Sequence, residues 1–516
     1  MAPVVARLHT ESEPYLVPGK ILVQELWFEV PLDHSKPSGR MIKLFARSAV
    51  RYERPIVEPK EPEELPYLLF LQGGPGGGCP APQDSTLSTH MLPRGYKLLF
   101  LDQRGTGLSC TVSADILRQH VGGPQEQADY LKLFRADTLV KDSEAVRRCL
   151  TKDYPPEKQK WSTFGQSFGG MMTLTYLSFA PEGLRECFIT GGLAALDKGP
   201  DEIYQTTFQR VVERNRAYYN KFPDDVVSVR LITETIRKEG GERGIPLPTG
   251  GFLTAQRFLT IGVDLGMDGG LDRIHNLVVR MMGDLNQFAM FSYATLSIIS
   301  HDKGWDDAPI YSVLHEPAWC YAPGIASKWS AHRVGSTLPE FQWLRNDWDG
   351  PPSSSSEAPS PSSEQPEPEQ PLSPPREMIL GNDWTGLLPS PSKPSYPPST
   401  QYKPQPPLFF SGEMIFPFLF DTCAELMKFK ETAQILADYD EWSPLYDIEQ
   451  LGKNEVPVYA ATYNDMYVDA GMARVTASKV KGIKVFETNV LYHSALRTKP
   501  NDVFRELLAL RDDTID

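Results

Sequence analysis

The segment WSTFGQSFGGMMTLTYLSFA, residues 161–180, has the pattern of a strand, a tight turn and a helix in direct succession. Ser167 lies in the turn between Gly165 and Gly169, so that the turn has the sequence G-x-S-x-G. Because glycine has no Cβ, two glycines there allow the strand and the helix to cross within van der Waals distance. The segment therefore predicts a sheet with a helix packed on it and a serine hydroxyl projecting above the sheet.

The segments on either side of this turn predict the α/β fold class. Residues 21–32 and 41–52 alternate apolar and polar side chains, which is typical of an antiparallel hairpin with one solvated face. Residues 65–72 and 96–103 are shorter and more continuously apolar, as in strands covered on both faces by helices. Residues 126–152 have helical spacing. Such alternation of strands and helices indicates a parallel sheet.

A long, mainly helical region interrupts this alternation after the sixth predicted strand, residues 184–193. Residues 198–450 are helical in pattern and rich in aromatic side chains, and two strands and a final helix follow them. We therefore predict one α/β core formed by residues 1–197 and 451–516, with residues 198–450 inserted as a helical cap.

The cap contains an insertion rich in proline and serine, residues 351–407. Proline at this density removes amide donors and blocks helix formation, so the insertion is predicted to be disordered or polyproline II-like. A tolerated surface insertion is the simpler interpretation of this tract. A ligand for SH3-like or WW-like modules is the alternative.

The composition argues against several classes of function. The net charge is -14 and no basic block stands out, which argues against nucleic-acid binding. No apolar run is long enough for a membrane span, and the sequence lacks both a signal-peptide pattern and N-x-S/T sequons, so a cytoplasmic location is expected. The 6 cysteines have no CxxC spacing, which argues against a metal site or a disulfide framework.

Ser167 is a candidate nucleophile, and the simpler alternative is a structural turn serine. Residues 71–78, LQGGPGGG, directly follow a predicted core strand, and their glycines let main-chain amides approach a reacting carbonyl oxygen. We expect the amides of Phe168 and Gly74, or else Gly73, to form an oxyanion hole. The same loop lacks the G-K-[ST] of a P-loop, so a phosphate site is the weaker alternative.

A serine nucleophile needs a general base, and in this architecture the order along the chain is nucleophile, acid, histidine. His493 follows the last predicted strand, and Asp465 follows the strand before it, where a carboxylate can orient the imidazole. Asp469 lies further from the strand end and is the weaker candidate. His315 and His332 lie within the cap region and are poor candidates for the base.

Five motifs in a fixed order carry a resemblance to a known family. They are GGPGGG, LDQRGTGLS, GQSFGG, YNDMYVD and YHSALR. In this order they resemble the proline iminopeptidase (prolyl aminopeptidase) family of α/β-hydrolases, in its larger fungal and bacterial form. The resemblance covers nearly the whole chain outside the Pro/Ser-rich insertion. It implies a mostly parallel sheet with a helical cap, a triad of Ser167, Asp465 and His493, and cleavage of N-terminal proline from short peptides.

Two segments of the cap, residues 315–334 and 410–421, also resemble this family, which binds the free amino group of its substrate through acidic cap residues. The resemblance implies this role for Glu316 and Glu413, and a solvated or salt-bridged glutamate is the alternative for each. A charged amine is held strongly by carboxylates in a partly dry pocket. Five aromatic residues could pack against a proline ring or form the cap core: Trp319, Tyr321, Trp329, Phe416 and Phe418.

The predicted activity is that of a serine aminopeptidase that releases N-terminal proline or another small residue through an acyl-enzyme, without a metal or an organic cofactor. An esterase, amidase or thioesterase acting on a small metabolite is the alternative enzyme, because a fold does not decide the substrate. A non-catalytic protein that docks through the Pro/Ser-rich tract is the alternative outside enzymes. Asp102 and Arg104 are expected to brace the loop after the fourth predicted strand.

Overall fold

The computed structural model describes residues 3–53, 64–302, 307–348, 350 and 406–513. All but the last two residues of the Pro/Ser-rich insertion lie outside these residues, so its predicted disorder stays a prediction. Within the described parts of the chain, no helix is both long and apolar enough to span a bilayer.

A 10-stranded sheet forms the centre of the described structure, in the order β1-β3-β4-β6-β5-β7-β8-β11-β12, with β2 also paired to β3. A separate ribbon consists of β9 and β10. The strands are β1 (Arg7–Glu11), β2 (Tyr15–Val17), β3 (Ile21–Pro31), β4 (Met41–Arg51), β5 (Tyr67–Leu71), β6 (Lys97–Leu101), β7 (Trp161–Gln166), β8 (Leu184–Thr190), β9 (Ile245–Pro246), β10 (Phe252–Leu253), β11 (Val458–Tyr463) and β12 (Ile483–Thr488).

Helices lie between and after these strands. They are α1 (Thr86–Met91), α2 (Ala114–His120), α3 (Pro124–Leu131), α4 (Ala136–Leu150), α5 (Phe168–Phe179), α6 (Pro200–Lys221), α7 (Asp225–Gly240), α8 (Ala255–Leu259), α9 (Gly270–Phe288), α10 (Tyr293–Asp302), α11 (Pro309–Leu314), α12 (Ser330–Gly335), α13 (Leu419–Thr422), α14 (Lys430–Asp438), α15 (Ile448–Gly452), α16 (Ala470–Lys479), α17 (Ala495–Thr498) and α18 (Pro500–Asp512).

The strands with continuous apolar patterns occupy the parallel part of the sheet. Every residue of β5 and β7 is buried, and β5 pairs in parallel with both β6 and β7. The predicted antiparallel hairpin is formed by β3 and β4, and burial largely alternates along β3. The α/β fold class with a mostly parallel sheet is thus confirmed.

Helices cover both faces of the sheet. Side chains of α4 and α5 pack into the hydrophobic core on one face, and side chains of α1 and α18 pack into a second core cluster on the other face. In α5 every residue except Phe179 is buried. A helix that is apolar on all sides is enclosed by the rest of the protein, and this enclosure holds the start of α5 firmly beneath the turn at Ser167.

Three details of the fold differ from the predicted elements. The short strands β1 and β2 were missed because nearly all their residues are exposed, β1 has no apolar pattern, and β2 is too short to show one. Because β1 and β2 add two strands, β8 is the eighth strand of the chain, whereas it was predicted as the sixth. The helices α6 to α15 follow β8. The helix predicted over residues 126–152 is divided into α3 and α4 because Arg135 adopts an extended conformation between them. The domain boundaries stay a prediction.

The loop after β6 is held by the residues expected to brace it. Asp102 accepts hydrogen bonds from the main-chain amides of Cys79 (2.8 Å) and Leu108 (2.9 Å). Arg104 is 1% exposed and donates from Nε and Nη2 to both carboxylate oxygens of Asp142, at 2.7 and 2.6 Å. Burial alone would raise the pKa of Asp142, but the charge of Arg104 and a hydrogen bond from His34 lower it overall.

We expect Asp142→Asn to lower the free energy of unfolding by about 3–5 kcal/mol, because it would leave the guanidinium of Arg104 buried without its counter-charge. Chemical denaturation at neutral pH measures this loss. Asp115→Asn is the matched control, because Asp115 pairs with Arg118 on the surface, where such a pair contributes about 1 kcal/mol or less. Equal losses in the two variants would contradict a stabilising role of the buried pair.

Candidate active site

The turn between β7 and α5 places Ser167 in a strained conformation. Its φ is 56° and its ψ is -122°, a region that residues with a Cβ rarely adopt. A Cβ at Gly165 would lie 2.3 Å from the carbonyl oxygen of Gly169, and a Cβ at Gly169 would lie 1.9 Å from the carbonyl oxygen of Leu71. The two glycines are therefore required for strand, turn and helix to meet, and the serine is held at the tip of the turn.

Ser167, His493 and Asp465 form a continuous series of hydrogen bonds. His493 Nε2 lies 2.9 Å from Ser167 Oγ, and His493 Nδ1 lies 2.5 Å from Asp465 Oδ2. The other oxygen of Asp465 accepts the main-chain amide of Tyr467 at 2.7 Å. All three side chains of the series are buried. The arrangement can transfer a proton from the serine hydroxyl to the imidazole and stabilise the imidazolium that results.

The pKa of His493 is raised overall. Burial, the largest influence, lowers it, but the charge and the hydrogen bond of Asp465 together with the charge of Glu413 outweigh burial. Asp469 has a different role, because its Oδ1 accepts the amide of Met472 at the start of α16 and its Oδ2 pairs with Arg210 at 3.0 Å. The structure therefore brings Asp465, rather than Asp469, to the imidazole.

The candidate oxyanion residues lie beside Ser167. Phe168 is the first residue of α5, so its amide is one of the helix amides without an intrahelical acceptor. Phe168 and Gly74 line the same cavity as Ser167. At Gly73, the alternative donor, an added Cβ would lie 3.0 Å from the Cβ of Ser167. This close packing brings the glycine loop after β5 against the serine turn.

The cavity at Ser167 combines residues of the core with residues that follow β8. It is lined by Gly74, Pro75, Ser167, Phe168, Met171, His315, Ala318, Trp319, Glu413 and Val468. Glu413 is half-buried, and its Oε1 accepts a hydrogen bond from the hydroxyl of Tyr311 at 2.7 Å. A carboxylate thus lies in the cavity that contains the candidate nucleophile.

Glu316 lies elsewhere, although it was predicted together with Glu413. Its two oxygens accept the main-chain amides of Ser330 (3.0 Å) and Ala331 (2.8 Å) at the start of α12. Burial raises its pKa to about 7, although the two amide hydrogen bonds act in the opposite direction. Glu316 is not among the residues that line the cavity, and its role in binding an amino group stays a prediction.

Of the five aromatic candidates, Trp319 lines the cavity. Phe416 and Phe418 stack with ring centroids 5.3 Å apart and contact Trp343 edge-on, which is cap packing. The indole of Trp329 donates a hydrogen bond to Gln434 at 2.9 Å. Trp319 is therefore one of the aromatic residues in the cavity at Ser167, together with Phe168.

Sequence reasoning missed three residues around the site. Tyr467 lies with its ring centroid 4.6 Å from that of His493, and its hydroxyl bonds the carbonyl of Val263. Tyr311 holds Glu413, and His315 lines the cavity. His315 stands directly before Glu316 in a segment that had been recognised, but it was considered only as a general base. The contact between Tyr311 and Glu413 joins residues 102 positions apart and leaves no local signal.

Comparison with known proteins agrees with this fold and with the family resemblance. The sequence profile described as the alpha/beta hydrolase fold matches residues 66–223. Proline iminopeptidase aneH of Aspergillus aculeatus is 36% identical over 97% of this chain and 96% of its own length. A proline iminopeptidase of Aeromonas sobria is 33% identical over 94% of this chain and 96% of its own length. The chain therefore belongs to the proline iminopeptidase family of α/β-hydrolases and is an aminopeptidase-like hydrolase.

Proposed function

We propose that this enzyme releases N-terminal proline from short peptides, with Ser167 as nucleophile, His493 as general base and Asp465 as the group that orients the imidazole. The observation that carries the proposal is the series of hydrogen bonds that joins Ser167, His493 and Asp465, together with the cavity that Ser167 and Glu413 both line. The names of the two relatives, both called proline iminopeptidases, support the choice of proline.

The proposed reaction has two steps that share one base. Ser167 Oγ attacks the carbonyl carbon of the first peptide bond while its proton moves to His493 Nε2, and the amides of Gly74 and Phe168 stabilise the oxyanion. His493 then protonates the leaving amine and the C–N bond breaks, which leaves a prolyl ester on Ser167. Water attacks this ester, gives a proton to His493 and releases proline as the serine regains its proton.

Glu413 is proposed to hold the positively charged amino group of the substrate. An ammonium group bound to a carboxylate in a cavity with little water gains a strong, charge-assisted hydrogen bond. The hydroxyl of Tyr311 binds Glu413 Oε1 and thereby orients this carboxylate. Trp319 supplies an apolar surface for the pyrrolidine ring.

We expect Glu413→Gln to lower kcat/KM for proline naphthylamide by about 10- to 150-fold, the loss of one hydrogen bond to a charged group. Hydrolysis of p-nitrophenyl acetate, which has no amino group, is affected only through the pKa of His493, which the charge of Glu413 raises, and is expected to stay close to wild type at a pH above that pKa. The measurement compares the naphthylamides of proline, alanine and leucine with this ester. Glu431→Gln, on the exposed side of α14, is the matched control and should affect neither substrate.

A wild-type enzyme that hydrolyses only the ester, with no change in Glu413→Gln, would contradict the aminopeptidase assignment. Glu316→Gln in the same assays tests the second predicted glutamate. If Glu316 serves only to hold α12, the variant loses stability and its two activities fall in proportion. A selective loss on the naphthylamide would instead assign Glu316 to the amino group.

A further inference from the structure

His315 follows α11 and has a buried ring nitrogen for which the described structure provides no partner. The residue is 4% exposed, it lines the cavity at Ser167, and its Nδ1 makes no hydrogen bond within the described residues. Buried polar atoms are almost always paired in folded proteins, because an unpaired one loses its hydrogen bonds to water without replacement. An unpaired nitrogen on a residue that lines a substrate cavity therefore points to a ligand atom.

The imidazole of His315 is neutral in this setting. Burial lowers its pKa, and this influence exceeds the opposing effects of the charge of Glu413 and of a hydrogen bond to the main chain of Glu413. A neutral imidazole has one nitrogen that donates and one that accepts. Nδ1, which has no partner among the described residues, is therefore an acceptor in the tautomer that carries the proton on Nε2.

We propose that Nδ1 of His315 accepts a hydrogen bond from the N-terminal ammonium group of the substrate, beside the bond that this group makes to Glu413. The inference rests on the proposed function and names a residue that helps to determine specificity. The lone pair of Nδ1 accepts a hydrogen bond from an N–H group, and the carboxylate of Glu413 in the same cavity favours an N–H group that carries a positive charge. A positively charged imidazole would repel an ammonium group, whereas a neutral one binds it.

The number of acceptors gives a reason for the preference for proline. The ammonium of an N-terminal proline is secondary and has two N–H groups, one for Glu413 and one for His315. The ammonium of any other N-terminal residue is primary and has three N–H groups. The third would be left without a partner in the cavity or would need a trapped water, and an enzyme site discriminates strongly against such an unsatisfied polar group. The two acceptors therefore match a secondary ammonium.

The test compares each variant with the wild type on two substrates, one with and one without a ring nitrogen, so that the difference between an anilide and an ester does not enter the comparison. One is proline p-nitroanilide, and the other is the p-nitrophenyl ester of cyclopentanecarboxylic acid, which has a ring of the same size without nitrogen. We expect His315→Phe to lower kcat/KM for the proline substrate by about 10-fold or more, with the change mainly in KM. His315→Asn, which offers an amide oxygen near the position of Nδ1, should recover part of the loss. Both variants should hydrolyse the carbocyclic ester at about the wild-type rate.

His332→Phe is the matched control, because it removes an imidazole of the same inserted region whose Nε2 bonds the carbonyl of Leu344 at 2.8 Å, outside the cavity. It should not change the KM for either substrate. Should His315→Phe fail to fold, His315→Ala serves with the same pair of substrates.

Two results would overturn the inference and leave the proposed function intact. One is an unchanged kcat/KM for the proline substrate in His315→Phe. The other is an equal loss on both substrates, which would assign His315 to the shape of the cavity. Wild-type enzyme that hydrolyses the carbocyclic ester but no proline substrate would overturn the proposed function, and the role of His315 with it.

Discussion

Ser167→Ala is expected to lower kcat/KM for proline naphthylamide by at least about 10⁴-fold and to abolish labelling by a fluorophosphonate probe. The variant has no atom to attack the carbonyl carbon, and only binding and the oxyanion amides remain to accelerate hydrolysis. Alanine has the same Cβ as serine, so it meets the same backbone strain at a φ of 56°. Steady-state kinetics and labelling of the folded variant measure the two effects.

Ser178→Ala is the matched control for this experiment. Ser178 is buried in α5, the helix that follows the turn at Ser167, and its hydroxyl donates a hydrogen bond to the carbonyl of Leu174 at 2.8 Å. Its removal should leave both labelling and kinetics close to wild type. Labelling that persists in Ser167→Ala would show that the probe reacts elsewhere, and the assignment of Ser167 as nucleophile would be wrong.

Asp465→Asn is expected to lower kcat by about 10⁴-fold, because an amide neither holds the required tautomer of His493 nor stabilises the imidazolium. Activity requires a neutral His493, so wild-type kcat/KM rises with pH through the pKa of this residue, which lies above its ordinary value. Without the charge of Asp465, burial dominates and lowers this pKa. The rising limb of the residual pH profile should therefore move to lower pH.

Asp469→Asn separates this role from a general effect of losing a carboxylate. Asn caps a helix about as well as Asp, so the bond to the Met472 amide at the start of α16 can be kept and only the contact with Arg210 is weakened. We expect a change of less than about threefold in kcat, because a partly exposed ion pair contributes little. A large loss in Asp469→Asn, with a small one in Asp465→Asn, would reverse the assignment of the acid.

Patterns within a few consecutive residues predicted the buried strands and the turn at Ser167, because the burial of a strand and the crowding of a turn both restrict the residues at those positions. The apolar runs of β5 and β7 show burial on both faces, so the parallel sheet could be predicted and was confirmed. β1 and β2 were missed for the converse reason, since they lie along one edge of β3 and are mostly exposed, and their sequences have no apolar period. The glycines around Ser167 indicated a crowded turn, and the turn has the backbone conformation that requires them.

The sequence by itself determined the fold class and the candidates for nucleophile, base and acid, because strand patterns and strand ends specify which side chains meet at one edge of a parallel sheet. The resemblance of five ordered motifs indicated the family. The tertiary structure alone decided where the cap residues lie. Glu316 and Glu413 are alike in sequence, but one binds main-chain amides at the start of α12 and the other lies in the cavity with Ser167. His315 likewise gained a place in that cavity through packing. The difference arises because long-range contacts between irregular segments, and not any repeating local pattern, determine where a cap side chain lies.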